Sequence, residues 1–116
     1  MNLTLDTLQE FDTTAGLAYA GDDETLYREV LAMFHEQLST EFAQLPEQLR
    51  NGSDDTLARQ VHTLKGSAGS VGATRIEAVA KEIDQSFKVG RVPDDQLIDA
   101  LQASVQAAKH ELAALS

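Results

Sequence analysis

The sequence predicts an all-α protein, and three observations carry that prediction. Apolar residues recur at steps of three and four along most of the chain, alternating Val/Ile/aromatic runs of strand type are missing, and Gly and Pro fall at a few places that cut the rest into helix-length segments. At 116 residues the chain has room for one domain, taken as 1–116. Four long amphipathic segments with short connections are expected to form an antiparallel up-and-down four-helix bundle, capped by a short N-terminal helix.

The elements follow in order. Asp6 precedes a short apolar piece (Leu5, Leu8, Phe11) with Gln9 three residues on as in a capping box, and the cluster Thr13 to Gly16 is expected to end this first helix. After Gly21 a long segment carries Leu26, Val30, Phe34, Leu38, Phe42, Leu45 and Leu49 on one face and stops at Asn51-Gly52. Pro46 lies inside that pattern and has no N–H to donate, which predicts a kink or break near Phe42 to Leu45. The next helix starts at Asp54 and runs to about Val71, with Leu57, Val61, Leu64, Ala68 and Val71 as its seam. Thr74 and Glu77 read as a capping box opening another, whose apolar face is Ile76, Val79, Ala80, Ile83 and Phe87, with Gly90 past its end. Pro93 at a first-turn position opens the last helix, striped by Leu97, Leu101, Val105, Ala108, Leu112 and Leu115.

Composition narrows the function. A net charge of −10 repels a phosphate backbone or an anionic membrane over most of the surface, so neither nucleic acid nor membrane is expected as a partner. No uncharged stretch approaches the ~20 apolar residues of a membrane span. The absence of Cys removes disulfides, thiolate metal sites and thiol nucleophiles, and makes the reducing cytoplasm the default location.

Most candidate motifs have structural explanations. The acidic pairs Asp22-Asp23, Asp54-Asp55 and Asp94-Asp95 could be read as cation ligands, but each opens a predicted helix, where a carboxylate meets unpaired N–H groups. His35-Glu36 and His110-Glu111 lack the second His, four residues after the first, of a zinc protease helix, since those positions are Ser39 and Ala114. No metal is therefore expected. Gly66, Gly69 and Gly72 match neither a dinucleotide fingerprint nor a P-loop.

The segment His62-Thr63-Leu64-Lys65-Gly66-Ser67-Ala68 is different. At 100° per residue His62 lies ~140° from the centre of the apolar seam, so its ring faces outward. Ala58, Gly66 and Gly69 share its side and leave a bare patch that a macromolecule could approach. Lys65, three residues on, points to the same side, so the pair reads as a nucleophile with an anion stabiliser on the wet face. The alternative is that the glycines serve close helix packing, or end the helix early, and His62 is an ordinary surface residue. Against it, each Gly in a helix interior costs ~1 kcal/mol relative to Ala, which points to a steric requirement.

This stretch resembles the signature of histidine-containing phosphotransfer (HPt) domains, in which the active His is followed by an apolar residue, Lys, Gly and small residues. The resemblance extends from Gly21-Asp22-Asp23-Glu24 into the long second helix, and forward through Gly72-Ala73, covering roughly Gly16 to Leu115. It implies a four-helix bundle that receives a phosphoryl group on His62 from a receiver aspartate and passes it to another, with no kinase activity or cofactor of its own and Mg²⁺ held by the receiver. The partners implied are response-regulator receivers and a hybrid sensor histidine kinase, with the domain itself a monomer. Lys65 would neutralise phosphoryl charge, and Gly66 would leave room for the ring and the receiver. Ala58, Ser67 and Gly69 would support the site. The family often has a polar residue such as Gln on the following helix; here the candidates are Gln85, which could hydrogen-bond the His or its phosphate, and Asp84, which would repel phosphate, with Lys81 and Lys88 as further options on a neighbouring face. Other readings are the phosphoacceptor domain of a chemotaxis-type kinase and a structural helical adaptor.

Overall fold

A computed structural model describes residues 3–52 and 54–115. Within them a 3₁₀ turn (Leu5–Thr7) precedes α1 (Thr13–Tyr19), α2 (Glu24–Ser39), α3 (Leu45–Arg50), α4 (Asp55–Val71), α5 (Thr74–Lys88) and α6 (Asp95–Ala114). The four long helices close a ring of contacts in which α4 packs on α5, α5 on α6, α6 on α2 and α2 on α4. Residues 72–73 and 89–94 are connections too short to carry the chain back along a helix, so the packed neighbours α4, α5 and α6 run antiparallel in turn. Leu38, Val61, Leu64, Ala68, Ile83 and Leu101 are fully buried in the centre of that ring.

Carboxylates cap the helices as the sequence indicates. Asp23, Asp54 and Asp94 accept from the N–H groups of Leu26, Leu57 and Leu97 at 3.0, 2.8 and 2.9 Å. One carboxylate of each acidic pair thus satisfies a helix N-terminus, while Asp22 sits in the turn before α2 at a φ of +61°. The expected break is also present: α2 stops at Ser39, residues 40–44 turn, and Pro46 sits in the first turn of α3, where a missing N–H costs nothing. Phe42, Leu45 and Leu49 stay buried across the break.

Several expectations are corrected. The N-terminal helix is not at Leu5 to Phe11; those residues form the 3₁₀ turn and irregular chain with a bend at Gln9-Glu10, and the cluster expected to end a helix, Thr13 to Gly16, begins α1. Asp12 caps α1 by accepting from the Ala15 N–H, whereas the Asp6/Gln9 box does not form and Thr4 and Thr7 fill that role. On α2 the buried row is Tyr27, Leu31, Phe34 and Leu38, leaving Leu26 exposed. Thr74 is the first residue of α5 rather than its cap, and Pro93 lies one residue before the cap of α6. On α6, Ile98 is buried and Leu97 only partly so.

The N-terminal segment is fastened to the bundle at several points, among them the Leu3 N–H donating to the Ala114 carbonyl at 2.7 Å and an Arg75–Glu10 ion pair at 3.2 Å. Gly72 ends α4 at a φ of +76°, and its carbonyl accepts from the Asp12 N–H at 2.7 Å; a Cβ there would overlap the Asp12 carbonyl oxygen. The buried carboxylate of Glu111 accepts from the Gln9 and Glu10 N–H groups at 2.6 and 2.8 Å. That gives Glu111 a structural function.

Tyr27 ties α2 to the end of α4, its buried hydroxyl donating to the Val71 carbonyl at 2.7 Å. Burial, helped by the charge of Asp12, pushes its pKa from 10.0 up to about 12. Because the folded value is raised, the contribution is complete below the unfolded value and is lost as pH climbs from 10.0 toward 12. Tyr27→Phe is expected to cost about 1 kcal/mol at neutral pH, the net worth of the hydrogen bond, and to shrink the alkaline loss of stability. Denaturant titrations at neutral and alkaline pH measure both effects. An unchanged alkaline limb in the variant would remove Tyr27 from that role.

Candidate functional site

The α4 seam Leu57, Val61, Leu64, Ala68 and Val71 is buried as one face. Helical geometry then turns His62 and Gly66 to the opposite side. The His62 side chain is 62% exposed. One turn on, a Cβ added to Gly66 would meet nothing within 4 Å, so close helix packing does not explain this glycine. Ala58, one turn before the ring, is half-buried.

Between α4 and α5 lies a polar cluster built on one oxygen. Asp84 of α5 is buried, and its Oδ2 stands 2.8 Å from Lys65 Nζ, 3.3 Å from Lys88 Nζ and 3.5 Å from His62 Nδ1. Burial alone would raise the Asp84 pKa, but hydrogen bonds from Lys65, Lys88 and His62 outweigh it and hold the carboxyl below its usual 3.8. With the folded value depressed, this group's stabilisation is full above 3.8 and disappears as pH falls through the folded value.

Lys65 differs from expectation. Its side chain is only 25% exposed and is committed to a buried carboxylate instead of standing free on the wet face. Lys65→Ala is therefore expected to cost about 1–2 kcal/mol, less than a fully broken buried pair because Lys88 still faces Asp84. Chemical denaturation reads that cost, and a loss near zero would mean that Lys88 suffices.

The other candidates divide. Gly69 is not bare, because the Glu77 carboxylate of α5 lies over it, with Oε2 2.5 Å from where a Cβ would project. Ser67 is half-buried on the far flank of α4 and joins none of these contacts. Gln85 and Lys81 are exposed, and the cluster's polar contacts go to Asp84 and Lys88. The sequence named Asp84 as a candidate beside His62, but as a carboxylate that would repel phosphate and not as the anchor of the lysines. Its position one turn after buried Ala80 was a usable signal, since a carboxylate on a core-facing row needs cationic partners. Among the described residues no group of three or more His, Cys, Asp or Glu is placed to hold a metal ion, and no helix is long and apolar enough to cross a membrane.

A family model described as Hpt domain matches residues 29–111, most of the chain. The chain belongs to the Hpt family. Hpt domains carry phosphoryl groups on histidine in phosphorelays and interact with receiver domains of response regulators and hybrid kinases. The matched span runs from α2 into the last turns of α6 and takes in the whole His62 cluster, while the 3₁₀ turn and α1 lie outside it. No curated protein matches the sequence.

Proposed function

We propose that this Hpt domain relays phosphoryl groups through His62, accepting from the aspartyl phosphate of one receiver domain and donating to the aspartate of another. The observation that carries this reading is the direction of the ring: Nδ1 faces the Asp84 carboxylate while the side chain is otherwise open to solvent. A carboxylate at Nδ1 favours the tautomer with its proton there, leaving the Nε2 lone pair on the outer edge. A neutral imidazole is a competent nucleophile near neutral pH without a further base.

Transfer is then a matter of placement. The Nε2 lone pair forms the N–P bond while the P–O bond to the receiver's aspartyl group breaks, its electron pair remaining on the carboxylate. Lys65 neutralises phosphoryl charge from the inner side, and Gly66 leaves the space through which a receiver reaches the ring. Ala58 lowers the surface on the other side of His62. Mg²⁺ enters with the receiver, and the domain supplies no cofactor. We place the domain in the cytoplasm as a monomer.

Incubation with a radiolabelled phosphorylated receiver, in the absence of ATP, tests the reading. Label is expected on the domain within seconds to minutes and to return to a second, unlabelled receiver. A domain that takes label only from a kinase with ATP would instead be a chemotaxis-type acceptor, and one that takes none would be an adaptor. In the same assay Lys65→Ala is expected to transfer more slowly per folded molecule, while Lys65→Arg retains part of the rate.

A further inference from the structure

Asp84 brings two ammonium groups, not one, beside the His62 ring. Both Lys65 and Lys88 reach its Oδ2, the same oxygen that faces Nδ1. Lys65 comes from α4 and is 25% exposed, whereas Lys88 comes from the last turn of α5, is 58% exposed and has solvent around it in which to move. We propose that Asp84 is a positioning residue that holds Lys65 and Lys88 while His62 is empty and releases them to the phosphoryl group when it is loaded, so that Lys88 is a second phosphoryl-binding cation. This rests on His62 being the acceptor.

Charge balance supports the exchange. In the empty site one carboxylate faces two ammonium groups and a neutral ring, an excess of one positive charge. When Nε2 takes the phosphoryl group the Nδ1 proton stays, so the ring becomes an imidazolium and the phosphoryl adds about two negative charges. The loaded site with both lysines is then neutral. Without Lys88 it carries an uncompensated negative charge beside a buried carboxylate, which is costly at low local dielectric. The exchange also leaves Asp84 with a partner, because the imidazolium Nδ1–H faces the Oδ2 that the lysines vacate. The phosphoryl group offers three acceptor oxygens and more charge than one carboxylate oxygen, and the flexible four-carbon lysine stem can follow them.

The test uses phosphoramidate, a small phosphoryl donor whose protonated nitrogen leaves as ammonia with the N–P electron pair, so no receiver need be known. Lysine side-chain NMR signals of the intact domain are followed during loading. Signals of both Lys65 and Lys88 are expected to move as the His62 phosphoramidate forms. Lys88→Gln is expected to load about fivefold more slowly and Lys88→Arg within about twofold of the wild type. A purely structural Lys88 would lower the melting temperature when replaced but leave loading per folded molecule unchanged. Static Lys88 signals, or a wild-type loading rate in Lys88→Gln, overturn the proposal while His62 still loads. A wild-type domain that never loads at His62 removes the acceptor reading itself, and the proposal with it.

Discussion

His62→Gln is expected to abolish phosphoryl acceptance while leaving the helices in place. The side chain is largely exposed on the outer face of α4, so its removal takes nothing from the core, and surface substitutions of this kind usually change stability by no more than ~0.5 kcal/mol. Gln has no basic nitrogen, so neither the N–P bond nor an imidazolium can form. The other two histidines provide an internal control. His35 lines a groove between α2 and the end of α6 with Arg28, Leu31 and Leu112, and His110 is exposed on α6; neither stands in the Asp84 cluster. Label on the wild type should be acid-labile and alkali-stable, as a phosphoramidate is, and should survive replacement of either control histidine. Label retained in His62→Gln, or lost on changing His35 or His110, would refute the assignment.

The sequence revealed those parts of the fold that are governed by local rules. The α4 seam was fully legible because its apolar residues keep a strict helical period behind the Asp54 cap. The break at residues 40–44 followed from Pro46. The N-terminal segment was misread because its elements depend on distant partners: Asp12 is bonded to Gly72, and Gln9 and Glu10 to Glu111. Nothing between Leu5 and Gly16 encodes those partners.

The same division holds at the site. The outward direction of His62 was readable from α4 alone, as was the nearness of Lys65 along the helix. What Lys65 binds was not, since the choice between Asp84 and Gln85 depends on the rotation of α5 against α4. Packing of Ile76, Ala80 and Ile83 sets that rotation and puts Asp84 on the buried side, while Gln85 remains exposed. The lysines then convert the repulsive carboxylate of the sequence reading into an organising one.

Gly66 gives the second large effect, because at this position stability and function should part. A Cβ there meets open space and the backbone is helical, so Gly66→Ala is expected to raise stability by up to ~1 kcal/mol through helix propensity and the loss of unfolded-state freedom. Gly66→Gln should fold as well as the parent, since its side chain also projects away from the core. Its effect on transfer should be drastic: a long side chain one turn from the ring occupies the approach that a receiver needs, and a misplacement of about 1 Å between reacting groups already costs ~100-fold in rate. A loss of that size or more is expected for Gly66→Gln, with Gly66→Ala between it and the wild type. If Gly66 instead served a close helix crossing, Gly66→Ala would lose ~1–3 kcal/mol by overpacking and transfer normally per folded molecule. Denaturation and receiver-transfer assays on the two variants separate these outcomes, and normal transfer in a stable Gly66→Gln would show that the receiver does not approach across this turn.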